Sequence, residues 1–307
     1  MLYCKKCKRR MKLFYKGKYM LKYEIIDNQA EEWVVFIHGL GGSTKTWKKQ
    51  IEAFSKNYNL LLLDLPGHGL NAEKAIYKVD PHKLHLGIKN TLDHLQIDSA
   101  HFVGMSLGTI VIVNFAVVYP DYVKTIILGG PALKLSGFYK SALVLCNKIK
   151  NFVPYMLLYK FFAWFLMPKY NHKKSRMIFV REVMKLRKET LYAWIEYIQH
   201  AVHPEKLLRK LDFTGKKILM ISGDEDHCFV DDSKSIAKRI KSMELRIIKK
   251  CGHVCSIEKW KSFNKIALKY LSASKKRVKE ISVKRQYHKI PSENIFRKTE
   301  GVQEEKV

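Results

Sequence analysis

Continuous apolar runs, each closed by a turn of unusual chemistry, set the strongest constraint on how this chain folds. "WVVFI" at Trp33–Ile37 runs into "HGLGGS", and "NLLLL" at Asn59–Leu63 runs into "DLPGHG". Ala100–Val103 runs into "GMSLG", "VKTIILGG" ends at Pro131, "KKILMIS" meets "GDED", and "LRIIKK" meets "CGH". Helix-period segments lie between them: Thr44–Phe54, Pro81–Leu95 with Leu84, Ile88, Leu92 and Leu95 on one face, Leu107–Val118, Asp232–Ile240 and Lys259–Leu271. Apolar strands alternating with helices predict an α/β fold, a mostly parallel sheet with helices on both faces. Ligands of such sheets bind at the carboxyl ends of the strands, where these glycine-rich turns fall.

The rhythm breaks between 136 and 209. That stretch has no strand alternation and reads as three or four helices, for example "SRMIFVREVMKLRKETLYAWIEYIQHAV". It predicts a helical cap inserted into a core made of 12–135 and 210–273. Lys12–Asp27 alternates around Gly17 as an antiparallel hairpin, residues 1–11 form a basic leader, and the charged tail 274–307 is expected to be mobile.

The most apolar window, Tyr155–Met167, is shorter than the ~18 residues of a membrane span and contains Lys160. No apolar signal segment follows the basic start, and the 6 cysteines lack the spacing of a disulfide framework. Both point to the cytoplasm. The formal charge of +29 raises nucleic acid or anionic membrane as partners. The lysines are scattered and no nucleic-acid motif accompanies them, so solvated surface charge is the leading reading, with weak anionic-membrane contact second.

A G-x-S-x-G pattern alone is weak, arising by chance in about one chain of this length in ten or twenty. Gly104-Met105-Ser106-Leu107-Gly108 gains meaning from its place between a strand and a helix, where a tight turn holds the hydroxyl clear of the sheet. Serine needs a base, and His253 follows the last strand. The carboxylate that orients it belongs in the "GDEDHCFVDD" turn. There Asp226 fits best, Asp224 is the runner-up, and Glu225, Asp231 and Asp232 read as a solvated turn. Leu107 and Leu40 would supply the N–H groups of an oxyanion hole. Asp64 and His68 read as turn anchors and His38 as structural, while His38, His68 and Met105 are also candidates for lining the pocket. Zinc is the competing reading for Cys4-x-x-Cys7, which lacks a second pair, and for Cys228, Cys251, His253 and Cys255. The serine motif explains the histidine better, so no metal and no cofactor is expected.

With these motifs in the order Ser, Asp, His, the chain resembles the α/β-hydrolase superfamily over Lys12–Leu271. The resemblance implies Ser106 as nucleophile, Asp226 as acid, His253 as base, and a cap between the sixth and seventh core strands. The implied activity is that of a serine hydrolase, a carboxylesterase or lipase-like enzyme acting on a small apolar ester. The alternatives are a C–C bond hydrolase or an SHCHC-synthase-like lyase using the same residues, with Arg176, Arg181 or Arg187 holding substrate carboxylates. A non-catalytic binding protein on this fold is a third. The cap aromatics Phe152, Tyr155, Phe161, Phe162, Trp164 and Phe165 suit either an apolar substrate or simple packing.

Overall fold

The computed structural model describes residues 3–4, 9–14, 20–133, 152–201, 210–212 and 215–287. One sheet organises them, in the order β1 (Tyr3–Cys4), β2 (Arg9–Phe14), β3 (Tyr23–Ile26), β5 (Asn59–Leu63), β4 (Trp33–Ile37), β6 (Ala100–Met105), β7 (Val123–Gly129), β8 (Lys217–Gly223) and β9 (Met243–Ile248). β1, β2 and β3 pair antiparallel, β3 is antiparallel to β5, and every pairing from β5 to β9 is parallel. The central strands are buried on both faces; Leu60, Leu61, Leu62 and Leu63 are all fully covered, which is why they read as unbroken apolar runs.

Helices cover the sheet: α1 (Lys48–Phe54), α2 (Pro81–His94), α3 (Leu107–Val118), α7 (Val230–Arg239), α8 (Cys255–Glu258) and α9 (Trp260–Tyr287). α3 is apolar all round because it packs on β4, β6 and β7 and is itself covered by α2 and a later helix. Between β7 and β8 lie α4 (Tyr155–Leu166), α5 (Lys173–Val183) and α6 (Lys188–Ala201), the helical layer expected there. Residues 136–151 and 202–209 of the expected insertion lie outside the described residues. No described helix is long and apolar enough to cross a membrane.

Two boundaries differ from the sequence reading. α9 does not end near Leu271 but runs to Tyr287, into the segment expected to be a mobile tail. Residues 272–287, "SASKKRVKEISVKRQY", contain no Gly or Pro and are rich in helix formers, so nothing stops the helix; low apolarity argued against packing, not against helicity. At the other end, β2 begins at Arg9, inside the segment read as a leader, because it pairs with β3 from Met11↔Ile26 to Phe14↔Tyr23. Cys4 falls in β1, and Cys7 lies outside the described residues.

Candidate active site

Ser106 sits between β6 and α3 with φ 51° and ψ −113°, a left-handed conformation that non-glycine residues rarely adopt. The turn is tight because its neighbours are glycines. A Cβ on Gly108 would stand 2.2 Å from the Ile37 carbonyl oxygen, and one on Gly104 would stand 2.6 Å from Ile112 Cδ1 and 2.8 Å from the Gly108 carbonyl carbon. The Ser106 amide donates to the Gly129 carbonyl at 3.0 Å, and Thr109 N–H and Oγ1 donate to the Ser106 carbonyl at 2.8 and 2.6 Å. Backbone strain here is fixed from both sides.

His253, fully buried, follows β9 and places Nε2 2.9 Å from Ser106 Oγ. Its Nδ1 lies 2.9 Å from Asp226 Oδ2, so the Nδ1–H donates to the carboxylate and Nε2 is left as the acceptor facing the serine. The Phe229 ring packs against the imidazole with centroids 5.1 Å apart. Asp224 is elsewhere: its Oδ1 accepts from the Cys251 amide and its Oδ2 stands 3.8 Å from Lys249 Nζ. The two readings of the acidic turn are thus separated by which carboxylate reaches the histidine, and it is Asp226.

The turns around this line are pinned by buried histidines rather than lined by them. His38 donates from Nδ1 to the Gly39 carbonyl and accepts the Leu65 amide at Nε2, which leaves it neutral. Burial lowers its pKa to about 4. His68 donates from Nδ1 to the Pro66 carbonyl and accepts the Gly41 amide; burial, then His38, push its pKa well below the usual value. Asp64 accepts the Thr44 and Leu70 amides, its pKa raised to about 6 by burial. "HGLGGS" and "DLPGHG" therefore hold each other. This corrects the pocket expectation for His38 and His68: both rings are consumed by loop backbone. Met105 faces only a small recess of about 30 Å³ beside Ser106 and His253.

The main cavity, about 530 Å³, opens over Ser106, Leu40, Leu107 and His253. Its walls are Tyr155, Leu158, Phe162 and Phe165 from α4, Phe179 from α5, and Leu191, Tyr192 and Ile195 from α6. Of the aromatics expected in the cap, Tyr155, Phe162 and Phe165 face this space, whereas Phe152, Phe161 and Trp164 are exposed. The helical layer is tied to the "HGLGGS" and "DLPGHG" turns. Tyr159 Oη donates to the Leu40 carbonyl at 3.5 Å, Ser43 Oγ donates to Glu182 at 3.1 Å, and Trp194 Nε1 donates to the Pro66 carbonyl at 3.0 Å.

A further tie was not legible in the sequence. Fully buried His172, just before α5, sets Nε2 2.9 Å from Glu225 Oε2 and 3.7 Å from Glu258 Oε1. Glu225 also takes Lys169 Nζ and Asn171 Nδ2, and these bonds, with His172, bring its pKa down to about 2. Glu258 accepts the Gly252 amide at 3.1 Å and Ser175 Oγ at 3.3 Å. The His172 ring lies where a Cβ on Gly252 would come within 2.9 Å. The three groups are close enough to share a cation, yet their oxygens already serve an ammonium, an amide side chain, a backbone amide and a hydroxyl. We read them as a strut between the helical layer and the residues flanking Asp226 and His253. In the sequence Glu225 reads as part of a solvated turn; only the fold brings a buried histidine against it.

The cysteines near His253 are thiols in apolar surroundings. Burial pushes Cys255 up to about 12 and Cys251 higher still, and their sulfurs lie 3.5 Å from the Ile221 carbonyl and 3.6 Å from the Gly252 carbonyl. Both nitrogens of His253 are already engaged, so the zinc reading has no free imidazole ligand.

Residues 32–165 match the sequence profile of the α/β hydrolase fold. The chain is 24% identical over 264 residues to a protein of Bacillus subtilis (strain 168) carrying the provisional name 2-succinyl-6-hydroxy-2,4-cyclohexadiene-1-carboxylate synthase, covering 82% of this chain and 96% of that one. It is 26% identical over 266 residues to the 2-hydroxy-6-oxo-6-phenylhexa-2,4-dienoate hydrolase of Comamonas testosteroni, 78% of this chain and 87% of that one. A solved structure from work on carboxylesterases of Nitrososphaera gargenis superposes with a TM-score of 0.70 at 21% identity, covering 87% of this chain and all of that one. At such identities the structural likeness speaks for the fold. With a serine turn after β6, a sheet parallel from β5 to β9 and a profile match over residues 32–165, the chain has the α/β hydrolase fold.

Proposed function

We propose that the protein is a serine hydrolase cleaving carboxylic esters with an apolar acyl or alcohol group, and that α4 to α6 act as its cap. The observation that carries this reading is the unbroken line Ser106 Oγ, His253 Nε2, His253 Nδ1, Asp226 Oδ2, with both links at 2.9 Å, at the floor of an aromatic cavity. His253 removes the Ser106 proton as Oγ attacks the ester carbonyl, and Asp226 holds the imidazole in the required tautomer and stabilises its charge. Leu40 and Leu107 line the same cavity, and in this mechanism their backbone N–H groups receive the oxyanion. His253 then protonates the leaving alcohol, and water, activated by the same histidine, hydrolyses the acyl-enzyme.

Cavity chemistry favours an ester over the carboxylate-bearing substrates of the alternative reading. Glu189 and Glu196 are among the cavity's lining residues, and no Lys or Arg is, among the described residues. Arg176 donates to the Met167 carbonyl, and Arg181 and Arg187 are exposed. An anionic substrate would meet acidic groups and no counter-ion. A fluorophosphonate probe should label the wild type and fail to label Ser106→Ala; unchanged labelling of the variant removes Ser106 as nucleophile. Among p-nitrophenyl esters, medium-chain acyl groups should turn over faster than acetate. Labelling without turnover of any ester would point instead to C–C bond cleavage.

A further inference from the structure

α4 carries two apolar faces, and the cavity uses only one. Tyr155, Leu158, Phe162 and Phe165 line the cavity. Leu157, Lys160, Phe161 and Trp164, spaced i, i+3, i+4 and i+7, form a separate stripe in which Phe161 is 63% and Trp164 54% exposed. Phe152, just before the helix, is 87% exposed. A soluble helix that needed only to roof a cavity would present polar residues on its outer side.

Along the sequence that carries this stripe the charge is of one sign. From Tyr122 to Arg181 the sequence contains nine lysines and two arginines and no Asp or Glu. Lys160, Lys173 and Lys174 are exposed, and among the described residues none of them has an ion-pair partner. On α5 the exposed Lys173, Lys174, Met177 and Arg181 repeat the pairing of cations with apolar side chains. Bulky aromatics and lysines on the outer face of a short helix, without carboxylates, match the chemistry of an anionic bilayer interface. Rings enter the headgroup–acyl boundary, and lysines, their stems lying along the apolar surface, meet lipid phosphates.

We propose that the outer face of α4, flanked by the cations of α5, docks on anionic phospholipid membrane. Because the opposite face of the same helix walls the cavity, docking sets the cavity beside the lipid, and the substrate is an amphiphilic acyl ester that partitions into the bilayer. The docking stands without the catalytic assignment; the substrate class rests on the ester-hydrolase reading.

Sedimentation with vesicles tests the surface, using Ser106→Ala so that binding is read without turnover. The full chain should sediment with phosphatidylcholine vesicles containing phosphatidylglycerol, at least about tenfold more strongly than with phosphatidylcholine alone, and raising salt from about 0.1 M to 1 M should weaken binding as the Debye length falls from about 10 Å to about 3 Å. Phe161→Asp combined with Trp164→Asp should lose at least about tenfold in vesicle affinity and keep wild-type turnover of a short water-soluble ester when Ser106 is present, since neither side chain lines the cavity. Lys160→Glu with Lys173→Glu and Lys174→Glu should give the same loss with the aromatics intact. Equal binding to neutral vesicles, wild-type binding by either variant, or no binding to anionic vesicles overturns the docking. So does a dimer seen by light scattering that the aspartate variant dissociates, because a second copy would then occupy this face. If vesicles bind but short and membrane-partitioned esters are both inert, the ester reading fails and the docking survives.

Discussion

Ser106 keeps a backbone conformation that costs a non-glycine residue about 1–3 kcal/mol because the turn around it has no room to relax. The Ile37 carbonyl stands against Gly108, and the Ile112 side chain and the Gly108 carbonyl stand against Gly104. Gly108→Ala should therefore destabilise the protein by roughly 3 kcal/mol, measured as a lower urea midpoint, and slow fluorophosphonate labelling even where the chain stays folded. Asp226 is a different case. Only Oδ2 touches His253, and Oδ1 has no hydrogen-bond partner among the described residues. On the proposed mechanism Asp226→Asn keeps the shape but presents the wrong partner to Nδ1–H, and kcat should fall by about 10⁴-fold with the melting temperature nearly unchanged. A large loss of stability with modest loss of rate would mark Asp226 as structural.

At the scale of elements, the helices over the sheet are fastened to the motif turns one by one, and the turn before α5 is the tie closest to the base. His172 abuts Gly252 and bonds Glu225, the residues next to His253 and Asp226 in the chain. We expect His172→Ala to lower kcat about 10- to 100-fold through loosened geometry while KM for a short ester stays within a few-fold, and His172→Gln, which keeps a donor for Glu225, to recover much of the loss. Equal losses in both variants, or a change in KM alone, would assign His172 to packing. α9 teaches a related lesson about elements: its extension to Tyr287 follows from local helix propensity, a property the end of a burial pattern does not report.

For the whole molecule, buried neutral histidines dominate the response to acid. His38 and His85 are lowered to about 4, and His68 well below its usual value, in each case chiefly by burial. Folded values below the unfolded ~6.5 mean that their contribution is present above pH 6.5 and lost as pH falls toward 4. Asp64, raised to about 6, and Glu24, also raised, work the other way, since each releases a proton on unfolding in this range. Near pH 5 unfolding should thus take up about one to two protons net, and stability should fall steadily between pH 6.5 and 4. His85 is the separable member: its Nε2 is buried without a partner among the described residues, and the ring packs on Phe115. His85→Leu should be near neutral at pH 7 and roughly 2 kcal/mol more stable than wild type at pH 5 in urea titrations. An unchanged difference between the two pH values would show that His85 is already charged in the fold.

Sheet, helix rhythm and the candidates Ser106 and His253 were legible in the chain because each depends on local periodicity or on a motif at a strand end. β5 through β9 lie where the apolar runs ended, and α3 spans Leu107–Val118 as its spacing predicted. Which carboxylate of "GDED" meets the histidine, that His38 and His68 turn into the loops, and that His172 reaches Glu225 across 53 residues could be decided only in three dimensions. The physical reason is range. A strand or helix is selected by neighbours a few residues away, whereas a buried polar contact is selected by whichever distant group must satisfy it once water is gone. The outer stripe of α4 belongs to both: its spacing is written in the sequence, and its exposure was decided by the side of the helix the cavity took.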